Sequence, residues 1–189
     1  MNQDRYWTEP RGDYNSRRRA FLEFSAGSES NGKRGDFFSQ LCRLELNRGP
    51  LDEESVCEAL AYVNGRGDCS DFIVSGLLRM LYQYKDSILL SQKLLEETRH
   101  TLLNFKYWLD EPGEDMMFYW TENHQIMFNA DQYLAGQLFP EDIFPNSGKN
   151  GRWHLEMGRK RILGWIDLKA RFGFSEWDSN CYYDEDFTP

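Results

Sequence analysis

Residues Tyr119 to Phe128 read YWTENHQIMF, which sets a glutamate, an asparagine and a histidine side by side where an amphipathic helix begins. A single polar residue is enough to cap a helix. The surplus asks whether this start stands alone or belongs to a series. Two other stretches answer that. Ser70-Asp71-Phe72 and Ser175-Glu176-Trp177 share the order of Thr121-Glu122-Asn123, a hydroxyl residue followed by a carboxylate, and the three lie a little over fifty residues apart. Such regularity fits a helical-hairpin repeat, because one two-helix unit with its turns needs about that length.

The stretches between the starts agree with this. Residues 52–63 have an acidic first turn and apolar Val56, Leu60 and Val63, and the run NGRGD ends them. Residues 71–84 carry Ile73, Leu77, Leu78, Leu81 and Tyr84 at helical spacing, and residues 88–109 carry Leu90, Leu94, Leu95, Leu102, Phe105 and Leu109. A further helix is predicted over 122–138 with Met127, Ala130, Leu134 and Leu138 as its stripe. Another is predicted over 153–172 with Ile162, Leu163, Ile166, Ala170 and Phe172, and a last one starts at Ser175. Before these, DFFSQLCRLEL predicts a short helix capped by Asp36 and ended at Asn47-Arg48-Gly49-Pro50. No strand alternation is visible after Pro50. The expected fold is all-α, built of antiparallel helical hairpins over residues 36–189. Residues 1–35 are rich in Arg, Gly, Ser and Asn and read as a polar, flexible N-terminal arm.

Composition narrows the function classes. A formal net charge of -9 argues against nucleic acid or an anionic membrane surface as the main partner. Arg17-Arg18-Arg19 reads as a solvated run. No apolar stretch reaches membrane-spanning length, and MNQDRYWTEP lacks the order of a signal peptide, so the chain as written is expected in the cytoplasm. Cys42, Cys57, Cys69 and Cys181 form neither a CxxC pair nor a regular pattern, so neither a disulfide framework nor a zinc site is indicated. No metal and no cofactor are expected.

Helix caps account for Asp71, Glu122 and Glu176 without any catalysis, because a carboxylate in the first turn complements the helix dipole. They do not account for Asn123 and His124. If the three starts are equivalent, Asp71, the triplet Glu122-Asn123-His124 and the segment from Glu176 to Asp186 share one rim. His154 begins an intervening antiparallel helix, belongs to the opposite rim, and is expected to cap or pack.

On this repetition across residues 51–189, and on YWTENHQ and GFSEWDSNCYYDED at inner-helix starts, the chain resembles the (α/α)-toroid superfamily of carbohydrate-active proteins. These are the six-hairpin glycosidases and the polysaccharide lyases related to heparinase and alginate lyase. The resemblance implies a partial toroid of about half the hairpins, cut short at its C-terminal end, acting on a polysaccharide or oligosaccharide. Self-association or the remaining half of the toroid would complete it.

Three functions follow from that resemblance. In a lyase, which eliminates at a uronate, Asn123 would neutralise the substrate carboxylate, His124 would share that role or act as base, and Tyr182 or Tyr183 would protonate the leaving oxygen. In a hydrolase, Glu122 with Glu176 or Asp178 would supply the two carboxylates that glycosidic cleavage needs. A non-catalytic module would hold a glycan or a protein on Trp120, Trp177, Tyr182 and Tyr183. Asp71, Trp120, Trp177, Asp178 and Asn180 are the expected substrate-binding groups. Whether the chain is an enzyme stays open at this point, with the lyase reading ahead of the hydrolase one. Three Arg-Gly-Asp tripeptides, at residues 11–13, 34–36 and 66–68, also occur, with Asp36 and Asp68 at positions suited to caps or turns.

Overall fold

A computed structural model describes residues 12–27 and 34–178 and is mostly helical. The helices are α1 (Tyr14–Gly27), α2 (Arg34–Glu45), α3 (Glu53–Asn64), α4 (Ser70–Tyr84), α5 (Gln92–Asn104), α6 (Glu122–Leu138) and α7 (Gly151–Phe172). The all-α class is therefore observed. Between α6 and α7 lies a small antiparallel hairpin, β1 (Ile143–Phe144) with β2 (Lys149–Asn150), where no strand was expected. No described helix is long and apolar enough to cross a membrane.

Helix α1 occupies the region expected to be a flexible arm. Its start is capped by Asp13, which accepts hydrogen bonds from Ser16 N at 3.1 Å and Ser16 Oγ at 2.6 Å. Arg19 pairs with Glu23 one turn on, and Arg18 reaches Glu45 at the end of α2. Two of the three arginines in the expected solvated run are thus paired. The rest of the expected arm, residues 1–11 and 28–33, lies outside the described residues. Helix α2 begins at Arg34, so Asp36 lies inside it rather than capping it.

The apolar centre is made where α2, α3, α4 and α5 meet. Val56, Leu60 and Val63 of α3, Ile73, Leu77, Leu78 and Leu81 of α4, and Leu94 and Leu102 of α5 are all buried there with Phe37. These are the residues at helical spacing in the sequence, so local pattern and packing agree. Asp52 caps α3, and Ser91 caps α5 three residues later than the apolar run begins. Helix α5 stops at Asn104, short of Leu109, which is exposed. An extended segment then leads to α6. It buries Met117 and Tyr119 on one side and exposes Met116, Phe118 and Trp120 on the other.

Helices α6 and α7 form an antiparallel hairpin packed backbone to backbone. A Cβ on Gly136 would lie 2.4 Å from Leu155 N, and one on Gly158 would lie 2.6 Å from Tyr133 N, so only glycine permits this approach. The stripe expected to bury α6 is only partly buried. The fully buried face is instead His124, Phe128, Asn129, Asp131, Gln132, Ala135 and Gly136. Polar groups are tolerated there because they pair across helices: Ser75 of α4 donates to Asp131 at 2.7 Å, and Arg161 of α7 donates to Gln132 at 2.8 Å. On α7 the expected stripe faces outward, with Leu163, Ile166 and Phe172 exposed, because this helix meets its neighbour through Gly151, His154 and Gly158.

Candidate functional site

The first turn of α6 is where the three hydroxyl-acid starts meet. Their hydroxyls do not cap their own helices. Ser70 Oγ donates back to Gly67 O at 2.6 Å, and the residue at the α4 cap position is Cys69, in the left-handed conformation with φ of 57°. Thr121 Oγ1 donates to Asn123 Oδ1 at 2.7 Å, and Ser175 Oγ donates to Glu122 Oε1 at 3.0 Å. No helix begins at Ser175 within the described residues, where 175–178 is a bend.

The first N–H groups of α6 are satisfied from elsewhere. Glu176 accepts from Glu122 N at 2.5 Å and from Asn123 N at 3.2 Å, and Asn123 Oδ1 accepts from His124 N at 2.7 Å. Glu122 returns the favour. Its carboxylate accepts from Ser175 N, Glu176 N, Trp177 N and Lys169 Nζ. Burial alone would raise the Glu122 carboxyl, but the hydrogen bonds from Lys169, Ser175 and Trp177 hold it down at about 2. Glu122 and Glu176 are thus a reciprocal clasp between α6 and the segment after α7. A carboxylate held so far down is ionised near neutral pH, so in the expected hydrolase pair Glu122 suits the base or nucleophile rather than the acid.

Beside the clasp, Asp71 of α4 and His124 of α6 meet with Oδ2 and Nδ1 2.6 Å apart, although 53 residues separate them. Asp71 is fully buried and His124 nearly so. The hydrogen bond to Asp71 raises the imidazole above its ordinary value, against the effect of burial, and the nearby carboxylates of Asp68 and Glu176 add to the rise. Phe72 and Phe128 border the ring. With Nδ1 engaged, Nε2 is the ring nitrogen left for chemistry. Asn123 spends its side-chain oxygen on Thr121 and His124 N, while its amide nitrogen donates to nothing among the described residues.

The remaining expected residues separate. Trp120 is 71 % exposed just outside this site. Trp177 is packed rather than presented, stacked on Phe174 with ring centres 5.5 Å apart and tilted against Trp165. Asp178 is exposed. Asn180, Tyr182 and Tyr183 lie outside the described residues. His154 is buried between Ser147 Oγ and the Gln132 amide, stacked on Phe144, and burial with the nearby Arg161 holds it down at about 4. It is a neutral packing residue at pH 7.

In the sequence, two neighbours of His124 read only as a cap or turn residue and as an unpatterned cysteine. Asp68 and Cys69 each place a potential ligand atom such that these and one from His124 lie within 4.8 Å of one another. No disulfide joins the described cysteines Cys42, Cys57 and Cys69. Asp68 also belongs to the third Arg-Gly-Asp tripeptide, whose Arg66 is spent on Asn146 and on the carbonyls of Pro112 and Glu114. Arg66 and Gly67 are thus built into the fold, while Asp68 is exposed. A cavity of about 360 Å3 lined by Arg66, Asn104 and Asn146 lies nearby, and none of the expected site residues lines it.

Comparison with protein-family models, with curated proteins and with solved structures finds no match.

Proposed function

We propose that this chain is an arc of an (α/α)-toroid carbohydrate-active protein that cleaves a polysaccharide by β-elimination at a uronate. The observation that carries this reading is the Asp71–His124 pair at 2.6 Å, set beside the unspent amide of Asn123 at the α6 N-terminus. Elimination needs a base for the proton next to the carboxylate and a donor for the negative charge that then spreads onto it. His124 Nε2 takes the proton, with Asp71 orienting the ring and stabilising its charged form. The electrons of the broken C–H bond form the new C=C bond as the C–O bond to the leaving sugar breaks. Asn123 Nδ2 binds the carboxylate as it gains enolate character. The leaving oxygen takes a proton, a role that Tyr182 or Tyr183 would fill.

The test is to incubate the full chain with uronate-containing polysaccharides and follow the ultraviolet absorbance of unsaturated uronate ends. His124→Ala or Asn123→Ala is expected to lower turnover by a factor of about 10² to 10⁴, the usual worth of a positioned acid or base. Turnover that survives in the double variant rejects the assignment.

A second reading has its own observation. Met116, Phe118 and Trp120 alternate outward along one extended segment, 73 %, 60 % and 71 % exposed, and offer an apolar ridge to the face of a sugar chain. Saturable glycan binding without product, weakened by Trp120→Ala, would identify a non-catalytic binding module.

A further inference from the structure

We propose that Asp68, Cys69 and His124 bind a divalent cation of the zinc type, and that this cation switches off the elimination assigned to the same histidine. The binding stands on the geometry alone; only its effect on turnover rests on the lyase reading.

The three side chains offer a carboxylate oxygen, a sulfur and a ring nitrogen, all within 4.8 Å of one another. Adjacent residues of a helix or strand point their side chains apart. Here the left-handed backbone at Cys69, φ 57° and ψ 27°, turns the chain between Asp68 and the start of α4, and both side chains gather by His124. The histidine is prepared as metal-binding histidines are. A buried carboxylate, Asp71, holds Nδ1 at 2.6 Å and leaves Nε2 as the ligand atom. Such partners fix the ring and its tautomer, and losing one costs about 10- to 100-fold in metal affinity.

The donor types point the same way. Mixed sulfur, nitrogen and oxygen donors suit zinc or cobalt, whereas calcium and magnesium favour oxygen alone. The described residues supply three donors of the four that a tetrahedral site uses. A cation there takes the Nε2 lone pair that proton abstraction needs, so occupied chains cannot eliminate.

The experiment titrates cobalt into the reduced full chain and records the charge-transfer absorption of a cobalt–thiolate bond. The expected result is saturation at one cobalt per chain. Cys69→Ser is expected to abolish the thiolate band. Asp68→Asn should keep the band while weakening binding at least tenfold, and Asp71→Asn should weaken it by about 10- to 100-fold. Cys42→Ser and Cys57→Ser should change nothing. Circular dichroism checks that each variant folds, and Asp68→Asn carries the test if Cys69→Ser does not. A wild-type chain without the band at millimolar cobalt, or a band that survives Cys69→Ser, overturns the site. Zinc is then added to the elimination assay, where turnover should fall in step with occupancy. Turnover unchanged at full occupancy overturns the switch, and a chain that binds cobalt but never eliminates overturns the lyase reading while the metal site stands.

Discussion

Glu111 offers a direct measurement of what the polar interior costs. Its carboxyl is 6 % exposed, one oxygen accepts from Asn146 Nδ2 at 2.8 Å, and the other has no partner among the described residues. Burial, opposed only in part by the Asn146 hydrogen bond, pushes it up from 4.5 to about 7. The folded chain therefore holds a proton that the unfolded chain has already lost, and stability falls as pH rises from about 4.5 to about 7. At 1.36 kcal/mol per unit, a rise of about 2.5 units costs about 3 kcal/mol above pH 7 and nothing below 4.5. Gln keeps the shape and still offers Asn146 an acceptor, but does not titrate. Urea unfolding of wild type and Glu111→Gln, followed by circular dichroism at pH 5 and pH 8, isolates the effect because other titrations cancel in the difference. The variant should gain about 2 to 3 kcal/mol on wild type between the two pH values. A gain equal at both values would refute the reasoning.

Gly158→Ala should destabilise by about 1 to 3 kcal/mol in thermal melting, because the new methyl meets Tyr133 N and Asn129 O and α6 and α7 must part. If helix propensity alone ruled the site, alanine would stabilise instead. Glu122→Gln removes the charge that gathers Lys169 and the 175–177 amides, and a loss of about 1 to 3 kcal/mol with faster proteolysis after α7 is expected. Unchanged cleavage there would mean that the clasp does not hold the segment. Asp52→Ala should cost about 1 kcal/mol by removing the acceptor for Ser55 N at 3.3 Å, readable as a lower urea midpoint.

What could be read in advance follows from which residues carried the information. Helices α3 and α4 were legible because Val56, Leu60, Val63, Ile73, Leu77, Leu78 and Leu81 bury apolar surface at helical spacing. Helix α6 was legible as a helix but not as to its buried face. Hydrophobic spacing selects Met127 and Leu134, whereas the face that packs is His124, Asp131 and Gln132, made acceptable by partners on other helices. The apolar stripe of α7 misled for the converse reason, since close approach is set by small residues and leaves Leu163 and Ile166 outside. The series of starts placed Asp71 near His124, yet each hydroxyl went to a carbonyl or side chain instead of its own helix. Asp68 and Cys69 were legible only as a turn residue and an unpatterned cysteine, because their convergence on His124 depends on a left-handed residue that is neither Gly nor Asn.

The polar face of α6 also acts as an index. A leucine face can slide by one turn, about 5.4 Å, and still find grease to lie against. If α6 slid so, Asp131 would leave Ser75, Gln132 would leave His154 and Arg161, and His124 would leave Asp71 in the same movement. Each orphaned partner would cost about 1 to 3 kcal/mol, so intermediate registers are closed off together. His124 therefore takes its axial position from a row of keyed contacts running deep into the bundle, and the geometry at the helix mouth inherits its alignment from residues further along the helix.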